Sequence, residues 1–189
     1  MTKLSLAVIN RTGGTQPRAQ LNDAIIEEYA EAMLAGDVFP PVIGYHDGTD
    51  YWLADGFHRV NAALRAGRET VDAAVHRGTQ RDAILWSVSA NATHGLRRTN
   101  EDKRRAVTRL LSDPEWSQWS DREIGRRCHV HHETVAVVRA SLTGDFASEN
   151  RTYTTKHGTQ AAMNTAAIGR ATQTEHVGSQ PATQRDDAP

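Results

Sequence analysis

Residues 51–63 read Tyr51-Trp52-Leu53-Ala54-Asp55-Gly56-Phe57-His58-Arg59-Val60-Asn61-Ala62-Ala63, a strand-like run that passes through Asp-Gly straight into an Ala-rich helix. The chain switches from strand to helix at Gly56, so the domain built around this turn is mixed in class. Glycine lets the backbone approach a ligand closely, and free N–H groups at a new helix start favour an anion. Arg59 adds a planar fork for phosphate, and Asp55 on the facing wall is a candidate Mg²⁺ ligand, directly or through water. The same residues also fit a turn with no ligand, in which Asp55 pairs with Arg59 and His58 merely packs.

On the N-terminal side, Leu4, Leu6 and Val8 alternate as in a short strand that Gly13-Gly14 ends. Asn22 caps a predicted helix whose Ile25, Ile26, Tyr29 and Met33 share a face, with Gly36 at its left-handed C-terminal cap. Residues 41–46 and 51–54 flank Asp47-Gly48-Thr49-Asp50 as a hairpin, and Pro40-Pro41 keeps the first of these strands from being central at its start. The helix from Phe57 closes at Gly67, a strand spans 70–75, and Thr79 with Asp82 starts a helix running toward Asn91. From Leu96 onward the pattern is helical. Thr99 caps a segment with Ala106, Val107, Leu110 and Leu111 on one face, and Asp113-Pro114-Glu115 opens a short helical turn. The expected organisation is an α+β domain over 1–95, an all-α domain over 96–142 and a polar tail over 143–189. That tail reads as mostly disordered, with Arg151 to Gly158 as a strand or hairpin arm within it.

The 189 residues carry a net charge near −1, which hides a segregation. Residues 19–55 hold eight Asp or Glu and no Lys or Arg, whereas residues 97–139 hold nine Arg and one Lys against seven acids. No window approaches the ~18 apolar residues of a membrane span, and no secretory signal is read at Met1-Thr2-Lys3-Leu4. The expectation is a cytoplasmic protein that works at the nucleoid without a membrane. One cysteine, Cys128, rules out an internal disulfide and a cysteine-rich zinc module. Cys128, His129, His131 and His132 crowd too closely in sequence to close a tetrahedron around one zinc, and Cys128 falls on a buried helix face.

Ser120 with Glu123 forms a capping box for a helix that runs to Cys128. Counting Asp121 as the first position, a helix-turn-helix wants a small residue fifth, a turn residue ninth, and apolar residues fourth, eighth, tenth, fifteenth and eighteenth. The chain supplies Gly125, His129, Ile124, Cys128, Val130, Val135 and Val138. Two helices crossing steeply need a small residue at closest approach and apolar knobs on both sides of the turn. A second helix over about 131–139 would present His131, His132, Glu133, Thr134, Ala136 and Val137 to the major groove of double-stranded DNA. Arg122, Arg126 and Arg127 would then lie near phosphates. A plain helical hairpin in an α-bundle is the alternative.

The turn at Asp55–Arg59 resembles the nucleotide-binding turn of the ParB/sulfiredoxin superfamily, in which a Gly-x-x-Arg element opens a helix and cradles phosphates. Gln16-Pro17-Arg18 is similar to the first CTP-binding motif of ParB proteins. Asn91-Ala92-Thr93-His94-Gly95-Leu96-Arg97-Arg98, leading into Thr99-Asn100-Glu101-Asp102, resembles the third. With the helix-turn-helix in the same place, the resemblance covers about residues 4–140. It implies a small mixed-sheet ParB/sulfiredoxin-like domain binding CTP or ATP with Mg²⁺ through Gln16, Arg18, Gly56, Phe57, His58, Arg59, Asn91 and His94, with Asp55 and Asn91 at the metal. The nucleotide would gate DNA binding in chromosome or plasmid partition or in transcriptional regulation. Ala90 stands where many ParB proteins have a motif Glu, so hydrolysis would be weak at most. Phe57 replaces the sulfiredoxin cysteine, which excludes that chemistry. The tail is too poor in apolar residues for a dimerisation domain, which leaves any homodimer to the N-terminal domain. The Asp-Gly-x-His-Arg form is also similar to free-serine kinases and ParB-like nucleases, in which Asp55, Arg59 and Asn91 would surround Mg²⁺ and Glu27 or Glu28 would be a candidate base.

Overall fold

The computed structural model describes residues 1–90, 97–143, 150–155 and 158–164. Its strands are β1 (Thr2–Ser5), β2 (Ile9–Asn10), β3 (Val42–His46), β4 (Tyr51–Asp55) and β5 (Thr70–Arg77), with β6 (Asn150–Thr154) and β7 (Gln160–Asn164) apart. The helices are α1 (Asp23–Ala35), α2 (Phe57–Arg65), α3 (Gln80–Ser89), α4 (Asn100–Leu111), α5 (Asp121–Cys128) and α6 (His132–Thr143). The class is α+β, as the alternation of periods predicts. None of the described helices is long and apolar enough to cross a membrane.

The predicted strand at residues 4–8 is broken in two. Leu6–Val8 form a 3-10 turn capped by Ser5, and β1 and β2 lie on opposite edges of a five-stranded sheet of order β1-β5-β3-β4-β2. In a flat sheet those edges would stand ~19 Å apart. Four chain steps from Ser5 to Ile9 reach at most ~14 Å and less through a 3-10 turn. The sheet must therefore curl until its edges nearly meet. Its pairing is mixed: β5 runs antiparallel to β1 and parallel to β3, β3 and β4 form the predicted hairpin, and β2 runs parallel to β4.

Two apolar cores follow. The first joins Leu4, Ile9, Val42, Leu53 and Ala73 of the sheet to Ile26, Ala30 and Met33 of α1 and Phe57, Val60 and Ala63 of α2. Asn22 caps α1 and Gly36 ends it at φ 101°, both as predicted. The second core gathers Ala106, Val107 and Leu110 of α4, Trp116, Ile124 and Cys128, and Val135 and Val138 of α6. It also takes Ile84 and Val88 of α3, a helix that packs on β3 and β4 on one side and on α5 on the other. One helix thus belongs to both layers.

The capping boxes at Thr79/Asp82 and Thr99/Asp102 are complete. At α5 the Ser120 hydroxyl accepts the Glu123 N–H, while the Glu123 carboxylate turns to Arg126 and Arg127. In the C-terminal stretch β6 and β7 pair antiparallel, and Gly158 at φ 78° donates its N–H to the Thr155 carbonyl.

Candidate functional site

Gly56 sits at φ 97°, where a Cβ would lie 2.6 Å from the Val42 side chain. The close approach at this glycine is made by the protein's own strand. No side chain caps α2, whose first amides follow directly. The Phe57 side chain points into the core at 6% exposure, so its backbone N–H is what it offers a ligand. Arg59 curls back to donate from Nη1 to the carbonyls of Pro40 and, at 2.7 Å, Pro41, and from Nη2 to Asp55 Oδ2 at 2.9 Å. In this arrangement the candidate phosphate fork and the candidate metal carboxylate hold each other.

His58 faces the other way. Its Nε2 accepts the Asn22 N–H at 3.1 Å, tying α2 to the start of α1. Burial, then the nearby Arg18 guanidinium, pushes its pKa below the usual range, against the pull of Asp102 and Asp55. The fold therefore gathers the Gln16-Pro17-Arg18 stretch, the Asp55–Arg59 turn and the start of α4. Gln16 Oε1 accepts the Arg18 N–H at 3.0 Å, and Arg18 Nη1 pairs with Asp102 Oδ2 at 3.3 Å. Asp102 also accepts the Ala19 N–H and the Thr99 N–H, both at 2.9 Å. Burial works against its charge, yet these donors and Arg18 hold its pKa below the carboxylate range. Asn91 and His94 lie outside the described residues.

Sequence reasoning missed Arg98 as a participant. It is 8% exposed, and Nη1 donates to the carbonyls of Val88 at the end of α3 and Cys128 at the end of α5. One cation thus closes two helix C-termini, where the helix dipole favours positive charge. Its Nε and Nη2, with Thr15 Oγ1, are the buried side-chain polar atoms without a hydrogen-bond partner among the described residues. Burial lowers its pKa, and Arg18 adds to the lowering. The adjacent arginines 97 and 98 in the third motif were the available signal; nothing local says which of the two turns inward.

The second candidate surface is α5–α6. A Cβ on Gly125 would lie 2.8 Å from the Val130 carbonyl, so the small residue stands at the closest approach of the two helices. His129 occupies the turn at φ 52°, ψ 49°, the left-handed conformation that glycine adopts most easily. Ile124, Cys128, Val135 and Val138 are buried, with Val130 packed against them. Burial raises the Cys128 thiol to about 12, consistent with a small hydrophobe. Among the described residues no cluster of His, Cys, Asp and Glu could hold a metal.

Of the residues expected to face DNA, Arg122, Arg126, His131, Glu133, Ala136 and Val137 are exposed, and His132 and Thr134 are half-buried. Arg127 is different: its guanidinium lies 4.4 Å from the Trp119 ring centroid and bonds Glu123 at 2.7 Å. Arg139 locks the pair from behind, donating to Asp121 Oδ1 at 3.1 Å and to the carbonyls of Ser117 and Trp119.

Residues 1–92 match the family model of the ParB N-terminal domain. Among curated proteins, the chain is similar to the possible regulatory protein of the streptomycin biosynthesis operon of Streptomyces griseus. The identity is 31% over 98 residues, covering 52% of this chain and 27% of that protein. It is also 34% identical over 105 residues to the transcriptional regulator NovG of Streptomyces niveus, covering 55% and 31%. The chain thus spans under a third of the length of these relatives. Among solved structures, Caulobacter crescentus ParB complexed to the centromeric parS site aligns with TM-score 0.49 at 15% identity over 75% of this chain and 72% of that one. The same protein complexed with CTP-gamma-S aligns with TM-score 0.43 at 17% identity over 75% and 78%. Arabidopsis thaliana sulfiredoxin aligns with TM-score 0.38 at 20% identity over 43% and 89%.

Proposed function

We propose that this chain, whose residues 1–92 match the family model of the ParB N-terminal domain, is a DNA-binding transcriptional regulator in which a nucleotide held by its N-terminal domain biases how α5–α6 engages duplex DNA. The observation that carries the reading is the packing of α5 on α6. Gly125 fits against the Val130 carbonyl and the apolar positions of both helices are buried, which leaves His131, Glu133, Ala136 and Val137 exposed beside Arg122 and Arg126. A short helix with polar and small apolar side chains on its outer face is the kind of element that enters a major groove. The two regulatory relatives favour transcription over partition.

On the nucleotide side, Gln16, Arg18, His58 and the first amides of α2 would hold the ligand. The buried Arg98 and Thr15 atoms that lack partners are hydrogen-bonding groups an anionic group would satisfy. CTP or ATP would supply that anion, and its effect would travel through Arg98, which touches the last carbonyl of α5. A Mg²⁺ ion at Asp55 would share its carboxylate with Arg59, which bonds Oδ2. A phosphotransferase or nuclease would need the same carboxylate and gains no support from the arrangement.

The test combines anisotropy of labelled duplex DNA with calorimetric titration of CTP, ATP and GTP with Mg²⁺ into the full chain. The reading expects DNA binding that one nucleotide alters, and Val137→Glu to weaken DNA binding by about 100-fold through repulsion from phosphate while changing stability by under ~0.5 kcal/mol. Absence of DNA binding would sink it. DNA binding with no nucleotide bound would reduce the first domain to a scaffold.

A further inference from the structure

The structure assigns to the β6–β7 hairpin a role as a second DNA-contacting element, a wing that grips the phosphate backbone beside the helix pair. This rests on the reading of α5–α6 as a DNA-binding unit. Thr154 forms a parallel bridge with Trp119, the residue just before the cap of α5. Trp119 is also where the pair itself is fastened: Arg127 of α5 stacks on its ring, and Arg139 of α6 bonds its carbonyl at 3.1 Å. The hairpin is therefore anchored to a residue that both helices hold.

Its composition suits phosphate. Residues 150–164 contain four threonines, two asparagines, a glutamine, one Arg and one Lys, and no Asp or Glu. Hydroxyl and amide groups with scattered cations are the usual donors to phosphate oxygens, and the absence of carboxylates removes the repulsion that most surface strands would bring. Thr155 and Thr159 pair across the hairpin: Thr155 N–H donates to the Thr159 carbonyl at 2.8 Å and Thr159 N–H to Thr155 Oγ1 at 3.2 Å. The anchor lies at the N-terminus of α5, whose first turn carries the exposed Arg122. The first helix of such a pair crosses the backbone, and a hairpin anchored beside it would extend that contact along the strand.

The experiment compares the full chain, a variant lacking residues 150–164 and the single variant Arg151→Glu, each titrated into a short mixed-sequence duplex between about 50 and 200 mM salt. Light scattering gives the mass of each species and circular dichroism its folding. The expected result is weaker binding by about ten-fold for the deletion and a salt slope shallower by about 1 to 2, with Arg151→Glu moving both in the same direction. Full-chain binding that neither variant changes would overturn the wing and leave the helix pair intact as the DNA contact. Weaker binding accompanied by a fall in mass would also overturn it, because the hairpin would then be joining two copies. No binding by the full chain would overturn the DNA reading itself, and the wing with it.

Discussion

The Asp55–Arg59 turn and the α5–α6 pair are both short, arginine-bearing stretches organised around one glycine, and they place their charge in opposite ways. At the turn, Arg59 folds inward onto two carbonyls and Asp55. At the helix pair, Arg122 and Arg126 stay exposed while Arg127 alone is drawn into the packing against Trp119. Both glycines answer to the chain's own crowding: the Val42 side chain presses on Gly56 and the Val130 carbonyl on Gly125. A glycine beside an arginine therefore does not by itself indicate a ligand. What separates the two regions is where the guanidinium goes once the backbone has been satisfied.

The largest effect expected from probing this contrast comes from adding a methyl at each glycine. Gly56→Ala meets both a left-handed φ and the Val42 contact and should cost about 3 kcal/mol or more, whereas Gly125→Ala keeps helical dihedrals and should cost about 2 kcal/mol. Urea midpoints of the two variants would check the order, and equal losses would remove the distinction. In the opposite direction, His129→Gly relieves the one non-glycine left-handed residue among the described residues and should stabilise by about 1 kcal/mol, read as a raised midpoint with DNA binding retained.

The smallest effect is a pH dependence confined to the turn. The folded state depresses the His58 pKa below 6.5. The unfolded chain therefore takes up the proton first, and stability falls as pH drops below that value. Protonation would also remove the lone pair that accepts the Asn22 N–H. His58→Gln should flatten the midpoint between about pH 7 and pH 5, while the acid limb that Asp102 contributes at lower pH remains. An unchanged profile would mean that His58 is not the group that titrates.

Much of the local structure was legible because its causes are local. Asn22 and Gly36 bound α1, Thr79/Asp82 and Thr99/Asp102 start two helices, and the spacing of Ile124, Cys128, Val135 and Val138 buries one face of each helix in the pair. The N-terminal strand misled for a local reason too, since Leu4-Ser5-Leu6-Ala7-Val8 alternates like a strand while Ser5 caps a 3-10 turn that carries the chain from one sheet edge to the other. The site was half legible. The residue types of a phosphate pocket can be read from three motifs, but their commitments cannot: Arg59 reaches back 18 and 19 residues to Pro41 and Pro40, and Arg18 reaches forward 84 to Asp102.

By itself, then, the sequence determined the order of strands and helices from α1 to α6, the caps and turn residues that bound them, and the small-residue position that lets α5 meet α6. Each of these depends on dihedral preference and hydrogen bonding within a few residues. Only the tertiary structure decided that the sheet curls, that α3 joins the helical core while resting on β3 and β4, that Arg98 bridges the ends of α3 and α5, and that Arg59 and Asp55 neutralise each other. Those outcomes depend on which charges and apolar faces become neighbours after the chain has closed loops of tens of residues. A buried charge takes whatever partner that closure brings within reach, because leaving it unpaired costs more than any local preference can offset.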